Sequence, residues 1–188
     1  MADTTESEHR AREDELLVIR CQLGERAAFD ELTERWHPPL WKYVRRLAGD
    51  DDAAKDVAQD VWLRVLRGIG RLRDGSRLRP WLFGIARRAL MDRLRHQYAD
   101  PSGSDIDVAE LAADQTVDAL EEEVEAMEHE LARLPATERE VLTLFYLREL
   151  SLAEVADVLD VPVGTVKSRL FRARRLLRRG LDLKGTRA

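Results

Sequence analysis

The chain has 188 residues, of which 44% are hydrophobic and 36% charged, and its formal net charge is -5. This length and composition allow one large domain or two small ones with modest cores, and two small ones fit better. Cys21 is the only cysteine, which excludes an intrachain disulfide and a cysteine-built zinc site. No apolar run approaches the roughly 20 residues that span a bilayer, and the polar start has no signal-peptide core, so we expect a cytoplasmic protein.

The charge changes sign sharply along the chain. All charged residues from Asp100 to Glu125 are acidic, and all those from Val161 to Gly180 are basic. Because electrostatic fields act locally, an acidic total does not exclude a C-terminus that binds nucleic acid.

The N-terminal part predicts two helices after a flexible N-terminus at residues 1–13. Apolar positions from Asp14 predict a short helix that ends at Gly24. An apolar stripe over residues 25–49 predicts a longer one. Two prolines near His37 interrupt this stripe, and since neither has a backbone N–H group, we expect them to kink or split the helix.

A third helix is predicted after three aspartates at residues 50–52, because negative charge favours a helix N-terminus, and it runs to about Leu66. Its polar face could meet solvent or another protein. This face consists of Asp56, Gln59, Asp60 and Arg64.

A glycine-punctuated basic loop is predicted next, at residues 68–79, and a fourth helix begins near Pro80. The loop is a candidate for contact with phosphates or bases. Its arginines are Arg71, Arg73, Arg77 and Arg79.

Residues 99–124 are acidic and contain too few apolar residues for a core, so we interpret them as a flexible linker. A helix is predicted to follow, stopped by Pro135. Thr137 and Glu140 have the spacing of a capping box for the next helix. Because no strand-like alternation of useful length occurs, we predict an all-α fold.

Residues 151–180 predict a helix-turn-helix. Ser151 and Glu154 form a capping box at the first helix, and Pro162 starts the second. The second helix has an apolar side made of Val166, Leu170, Ala173 and Leu177. Its other side, which can lie in a DNA major groove, consists of Thr165, Lys167, Ser168, Arg169, Arg172 and Arg175.

The structural alternative for this segment is an αα-hairpin with a solvated basic face. Such a helix would intersperse both signs of charge, whereas residues 161–180 contain no acid. Cations suit phosphates, and Arg, Lys, Ser and Thr suit base edges, so the pattern favours DNA binding.

The chain resembles the extracytoplasmic-function (group IV) RNA polymerase sigma factors. The segments that carry the resemblance are residues 28–49, 52–67, 79–95, 134–147 and 151–178, in the family's order and spacing. Among them the string VPVGTVKSRLFRAR is highly specific. The resemblance implies two small helical domains, with these divisions: N-terminus 1–13, region 2 domain 14–98, linker 99–124, region 4 domain 125–180 and tail 181–188.

The resemblance also implies site residues. The polar face of the third helix would grip the clamp helices of the polymerase largest subunit. Bases of the opened -10 element would meet Arg71, Arg73, Arg77, Arg79 and Arg88. Bases of the duplex -35 element would meet Lys167, Ser168, Phe171 and Arg172, and its phosphates Thr165, Arg169 and Arg175.

The implied partners are core RNA polymerase, including the flap of its second largest subunit, promoter DNA and an anti-sigma factor. The implied role is promoter-specific initiation in a stress or envelope response, with no enzymatic activity, cofactor, metal or membrane insertion. Many relatives carry Arg where Gly84 stands and Asn where Arg88 stands, so their -10 preference does not transfer to this chain.

Two other functions remain open from the residues alone. An ordinary helix-turn-helix regulator would bind an operator without polymerase, and its N-terminal half should sense a ligand or dimerise. A metal-dependent hydrolase would use Glu122, Glu125 and Glu128, whose spacing puts three carboxylates on one helix face. Binding to core polymerase distinguishes the first alternative, and metal-dependent nucleotide turnover the second.

Overall fold

The computed structural model describes residues 2–48, 50–99 and 127–185. For residues 2–8, 97–99 and 182–185 it describes the backbone alone. The chain divides into two compact units, Met1–Ser102 and Gly103–Ala188. The described residues contain helices and no strand, which confirms the predicted all-α fold. Of the predicted linker at residues 99–124, all but Ala99 lie outside the described residues.

The first helix, α1, spans Ala2–Gln22. The predicted start at Asp14 is therefore wrong, and residues of the expected flexible N-terminus are helical. These early positions carry no apolar stripe, but they lack Pro and Gly and are rich in Ala, Glu and Arg, which have high helix propensity. Gly24 ends α1 as predicted, with a φ of 82° that glycine adopts without strain.

Helix α2 spans Arg26–Ala48 and continues through Pro38 and Pro39, so the prolines do not split it. Buried residues lie on both sides of the proline pair, among them Trp36 before it and Leu40 after it. Because both halves bury their apolar faces in one core, packing outweighs the loss of two backbone donors.

Helix α3 spans Asp51–Gly68, and Asp50 caps it by accepting a 2.7 Å hydrogen bond from the backbone N–H of Ala53. This confirms the acidic N-terminus expected from the sequence. Helix α4 spans Leu78–Ala99 and thus begins two residues before Pro80. The core of the unit contains Phe83 of α4, whose ring meets the ring of Tyr43 edge to face at 5.4 Å.

The second unit is a small helical bundle. Residues 127–133 form α5, Ala136–Leu142 form α6, and Thr143–Leu147 add one π-helical turn. Helices α7 (Leu152–Leu159) and α8 (Val163–Gly185) complete it. Both α6 and α7 pack against α8. Their shared core is fully buried and includes Val141, Leu144, Leu150, Val155 and Val166.

One of the two predicted capping boxes is present. The backbone N–H of Glu154 donates to Ser151 Oγ at 3.2 Å, and that of Ser151 donates to the Glu154 carboxylate at 2.8 Å. The box predicted at Thr137 and Glu140 is wrong, because α6 begins at Ala136 after Pro135 and has no side-chain cap. Thr137 therefore lies inside the first turn.

Within the described residues, none of the helices combines the length and the apolar character needed to cross a membrane.

Candidate nucleic-acid and polymerase interfaces

The predicted basic loop of the first unit is an ordered segment with two 3-10 turns. Ile69–Arg71 form the first turn and Gly75–Arg77 the second, so the predicted loop between α3 and α4 contains two short helical turns. We call residues 68–79 the basic segment. Asp74 caps its second turn by accepting a 3.0 Å hydrogen bond from the backbone N–H of Ser76.

Helix α1 fixes the backbone of the basic segment. The side-chain amide of Gln22 donates hydrogen bonds to the carbonyl oxygens of Ile69, at 3.0 Å, and Leu72, at 2.8 Å. At the second turn, a Cβ atom on Gly75 would lie 2.8 Å from the Cα atom of Glu15. No side chain could occupy that space without moving the backbone, so α1 touches the segment at both turns.

The arginines of the basic segment point away from this anchored backbone to different degrees. Arg71, Arg73 and Arg77 are exposed, whereas Arg79, in the first turn of α4, is half-buried. Further along α4, Arg88 is exposed and its guanidinium lies beside Gly84. A Cβ on Gly84 would lie 3.4 Å from Arg88 Nη1, so the glycine leaves space for this guanidinium.

An ion pair attaches α1 to α2. Asp14 is buried, and its carboxylate lies 3.3 Å from Arg35 Nη1. Burial raises the pKa of Asp14, while the hydrogen bond and charge of Arg35 oppose that rise. The charge of Arg79 acts on Asp14 in the same direction as Arg35. Sequence reasoning missed this pair, because α1 and α2 have no local signal for their mutual contact.

The face predicted to bind polymerase is bound by ion pairs to α4. Asp56 lies 3.0 Å from Arg93 Nη1, and Arg64 lies 2.7 Å from Asp92. Arg64 also pairs with Asp60 of its own helix at 2.8 Å. The hydrogen bonds from Arg64 and then Arg95 lower the pKa of Asp92. These contacts hold the charged side chains of α3 in fixed positions.

Gln59, the remaining member of this face, is exposed and lines an open groove between α2 and α3. In that groove Trp62 Nε1 donates a 3.1 Å hydrogen bond to His37 Nδ1, and the His37 ring stacks against Trp41. The other lining residues are Lys55 and Ala58. Sequence reasoning did not predict this groove, whose lining residues come from two helices.

In the second unit, α8 has the two faces that its sequence predicts. Val166, Leu170 and Ala173 are buried and Leu177 is half-buried. Of the residues predicted for DNA, Thr165 and Arg169 are half-buried. The exposed ones are Lys167, Ser168, Phe171, Arg172 and Arg175.

Two of these side chains have partners in the unit. Ser168 Oγ donates a 2.9 Å hydrogen bond to the carbonyl oxygen of Thr165 one turn earlier. Arg172 Nε lies 3.1 Å from Oε1 of Glu138, a buried residue of α6. Sequence reasoning missed Glu138. Its one signal was an acid in the first turn of α6, which is common at helix N-termini and does not identify a partner.

Of the three carboxylates of the hydrolase alternative, Glu128 belongs to the described residues and is exposed on α5. Glu122 and Glu125 lie outside the described residues. The part of the chain that the structure describes contains no group of three His, Cys, Asp or Glu side chains that could hold a metal ion.

Comparison with known proteins gives matches over both units. Residues 32–99 match the family Sigma-70 region 2, and residues 125–177 match Sigma-70, region 4. The chain is 36% identical over 178 residues to the ECF RNA polymerase sigma factor SigM of Mycobacterium tuberculosis, across 95% of this chain and 89% of the relative. It is 32% identical over 182 residues to the RNA polymerase sigma-H factor of Pseudomonas aeruginosa, across 90% and 94%.

Solved structures agree with these relatives. The sigma factor RpoE of Bartonella quintana, solved with the anti-sigma factor NepR, has a TM-score of 0.69 and 25% identity, over 82% of this chain and 96% of that one. CnrH, solved with the cytosolic domain of CnrY, has a TM-score of 0.68 and 25% identity, over 90% and 97%. The resemblance inferred from the sequence is thus confirmed. The chain belongs to the extracytoplasmic-function RNA polymerase sigma factors, non-enzymatic proteins that direct transcription initiation.

Proposed function

We propose that the exposed side of α8 reads the -35 element as a duplex. The observation that carries this proposal is the charge of α8: from Val163 to Gly180 it has no acidic residue, and its cations lie opposite a buried apolar face. A rigid helix with this distribution fits a major groove. In this reading the base contacts come from Lys167, Ser168, Phe171 and Arg172. The phosphate contacts come from Thr165, Arg169 and Arg175.

The basic segment and α4 would capture bases of the opened -10 element. Separating stacked base pairs costs about 1.4 kcal/mol per step on average. A captured base returns about 1–3 kcal/mol when it stacks on an aromatic ring or an arginine plane. The anchored backbone of the segment supports this role, because a backbone that is already ordered before binding loses less entropy on binding. The residues in this role are Arg71, Arg73, Arg77, Arg79 and Arg88.

Core polymerase would be bound through the ion-paired face of α3. Its residues are Asp56, Gln59, Asp60 and Arg64. The proposed domain divisions are 14–98 for region 2 and 125–180 for region 4, with residues 99–124 as an acidic tether. A tether raises the effective concentration of the second reader once the first has bound, so two modest affinities combine into promoter selectivity.

Regulation by an anti-sigma factor is part of the proposal. A solved neighbour is bound to such a factor, and the chain aligns with 96% of that neighbour. The protein would act in the cytoplasm, where core polymerase and DNA are found, in a stress or envelope response.

In vitro transcription with core RNA polymerase on a library of genomic fragments tests the function. We expect initiation at a subset of fragments that share two spaced elements. A pull-down of core polymerase by the purified chain tests the partner separately. Failure in both assays would contradict the proposal, and binding of one operator without polymerase would support the ordinary regulator instead.

Replacement of one phosphate contact provides a finer test. For Arg175→Ala we expect weaker promoter use on all -35 sequences and a salt dependence of log K whose slope falls by about 1, because one fewer counterion is released. The measurement is binding of the holoenzyme to promoter DNA at four salt concentrations. A loss confined to particular -35 sequences would assign Arg175 to a base.

A further inference from the structure

Glu138 is a buried carboxylate directly behind the DNA-facing side of α8. Its side chain is 6% exposed, whereas that of its partner Arg172 is 65% exposed. The contact joins Glu138 Oε1 to Arg172 Nε at 3.1 Å. The exposed side chain of Arg172 thus contacts the carboxylate of Glu138, which is almost inaccessible to solvent.

The position of Glu138 is fixed by the fold. It lies in the first turn of α6, where Pro135 supplies no side-chain cap and the helix dipole favours a negative charge. Helix α6 packs along α8. Burial leaves the carboxylate little freedom to move, so it can determine where the guanidinium of Arg172 lies.

The ion pair leaves the terminal Nη1 and Nη2 atoms of Arg172 able to donate hydrogen bonds to another molecule. The contact uses Nε, and no second partner of Arg172 occurs among the described residues. The N–H groups of Nη1 and Nη2 form a planar fork that matches the O6 and N7 acceptors of guanine in the major groove. Fixing Nε therefore fixes the direction in which that fork points.

We propose that Glu138 is a positioning residue for -35 selection: it holds Arg172 in the orientation that reads a base, and this inference rests on the proposed function of α8. An exposed arginine otherwise samples many rotamers and must be ordered on binding. Ordering such a side chain costs a factor of about 2 to 13 in affinity. Because Glu138 already orders the side chain of Arg172 in the folded protein, this loss of affinity does not arise on binding.

Arg175 provides the contrast within the same helix. It is exposed, and no carboxylate lies within ion-pair distance of it among the described residues. A free cation suits a phosphate, whose contact carries no sequence information. Removal of Glu138 should therefore lower selectivity at the position that Arg172 reads and leave the contacts of Arg175 unchanged, a pattern that loss of folding would not produce.

The test uses the full chain with core RNA polymerase and a promoter library whose -35 element is randomised. Four variants are compared with the wild type: Glu138→Met, Glu138→Gln, Arg172→Ala and the double variant Glu138→Met with Arg172→Ala. Glu138→Met removes the acceptor from a buried site and keeps its volume. Glu138→Gln keeps one oxygen acceptor without the charge, and therefore serves as the conservative variant.

We expect Arg172→Ala to lose base preference at one position by roughly 5- to 150-fold. Glu138→Met should lose about 2- to 13-fold at that same position, and Glu138→Gln less. In the Arg172→Ala background, Glu138→Met should change the preference no further. Thermal unfolding followed by circular dichroism shows whether each variant folds, and Glu138→Gln carries the test if Glu138→Met does not.

Three results would overturn the inference. The first is an unchanged profile at the Arg172 position in a folded Glu138 variant, and the second is an equal loss at every position of the element. The third is a further loss of preference when Glu138→Met is added to Arg172→Ala. Absence of any -35 preference in the wild-type profile would instead overturn the proposed function, and this inference with it.

Discussion

The two basic surfaces of this sigma factor are built differently. On α8, the orientation of the cations follows from one helix whose other face is buried, so the helical period alone separates the two faces. The basic segment has no such period, and its shape depends on α1, which contacts it at Gln22 and Glu15. Which side of α8 carries the cations is therefore determined locally, although Arg172 on that side also contacts Glu138 of α6. The shape of the basic segment is determined by contacts between residues about 50 positions apart.

Because α1 contacts the basic segment and α8 belongs to the other unit, we expect substitutions in α1 to weaken recognition of the -10 element and to leave recognition of the -35 element unchanged. The chain offers a convenient probe, because its four tryptophans all lie at or before Trp81, in the first unit. Tryptophan fluorescence thus reports unfolding of that unit, and circular dichroism reports both.

The largest effect is expected at Gly75. A Cβ at this position would lie 2.8 Å from a backbone atom of α1, so Gly75→Ala must displace the helix or the turn. We expect a loss of about 2–3 kcal/mol in the stability of the first unit, typical of overpacking against backbone. Urea unfolding followed by tryptophan fluorescence measures it.

Gly70 is the matched control, since it lies in the other 3-10 turn and a Cβ there would have nothing within 4 Å. Gly70→Ala should therefore keep wild-type stability. Equal destabilisation by the two substitutions would show that the close approach to α1 is unimportant.

The next effect comes from Arg35→Met. This change leaves Asp14 buried without its ion-pair partner, for which we expect a loss of about 1–3 kcal/mol in the free energy of unfolding at pH 7. Because the folded-state pKa of Asp14 is already raised and rises further without Arg35, protonation favours folding. The loss should shrink as pH falls through that raised pKa toward the ordinary value of 3.8. Urea titrations at several pH values test this, and a loss independent of pH would contradict it.

A smaller effect is expected for Gln22→Leu, which removes two hydrogen bonds to the basic segment. Since water can reach these partly exposed carbonyls, we expect a stability loss of only about 1 kcal/mol. The loss of transcription should be larger on promoters with a substituted -35 element than on unchanged promoters, because the holoenzyme then depends more on the -10 contacts. In vitro transcription on paired promoters measures this dependence. An equal loss of transcription on both promoters would show that α1 does not contribute to recognition of the -10 element.

Ser151→Ala should leave the stability of the first unit unchanged. This change removes half of the capping box of α7 and should cost the second unit about 1 kcal/mol. Circular dichroism should show the lower midpoint, while tryptophan fluorescence should keep the wild-type transition. A shift in the fluorescence transition would mean that the units unfold together.

Sequence alone determined the helix-turn-helix. The capping box at Ser151 and Glu154, the turn before Val163 and the two faces of α8 all depend on residues within a few positions of one another. Because these signals are local, the helix-turn-helix and the all-α fold could be predicted from the sequence, whereas the equally local capping box predicted at Thr137 and Glu140 is absent. The arginines of the basic segment were also identifiable, because their charge is visible without a structure.

Tertiary structure alone decided how these residues are held. The continuity of α2 through its two prolines results from burial on both sides of them. The pairing of Asp14 with Arg35 and the pairing of Glu138 with Arg172 join helices that are separate in the sequence. Propensity and periodicity describe one segment at a time. Contacts between segments depend on how the segments pack, and only the folded chain specifies that.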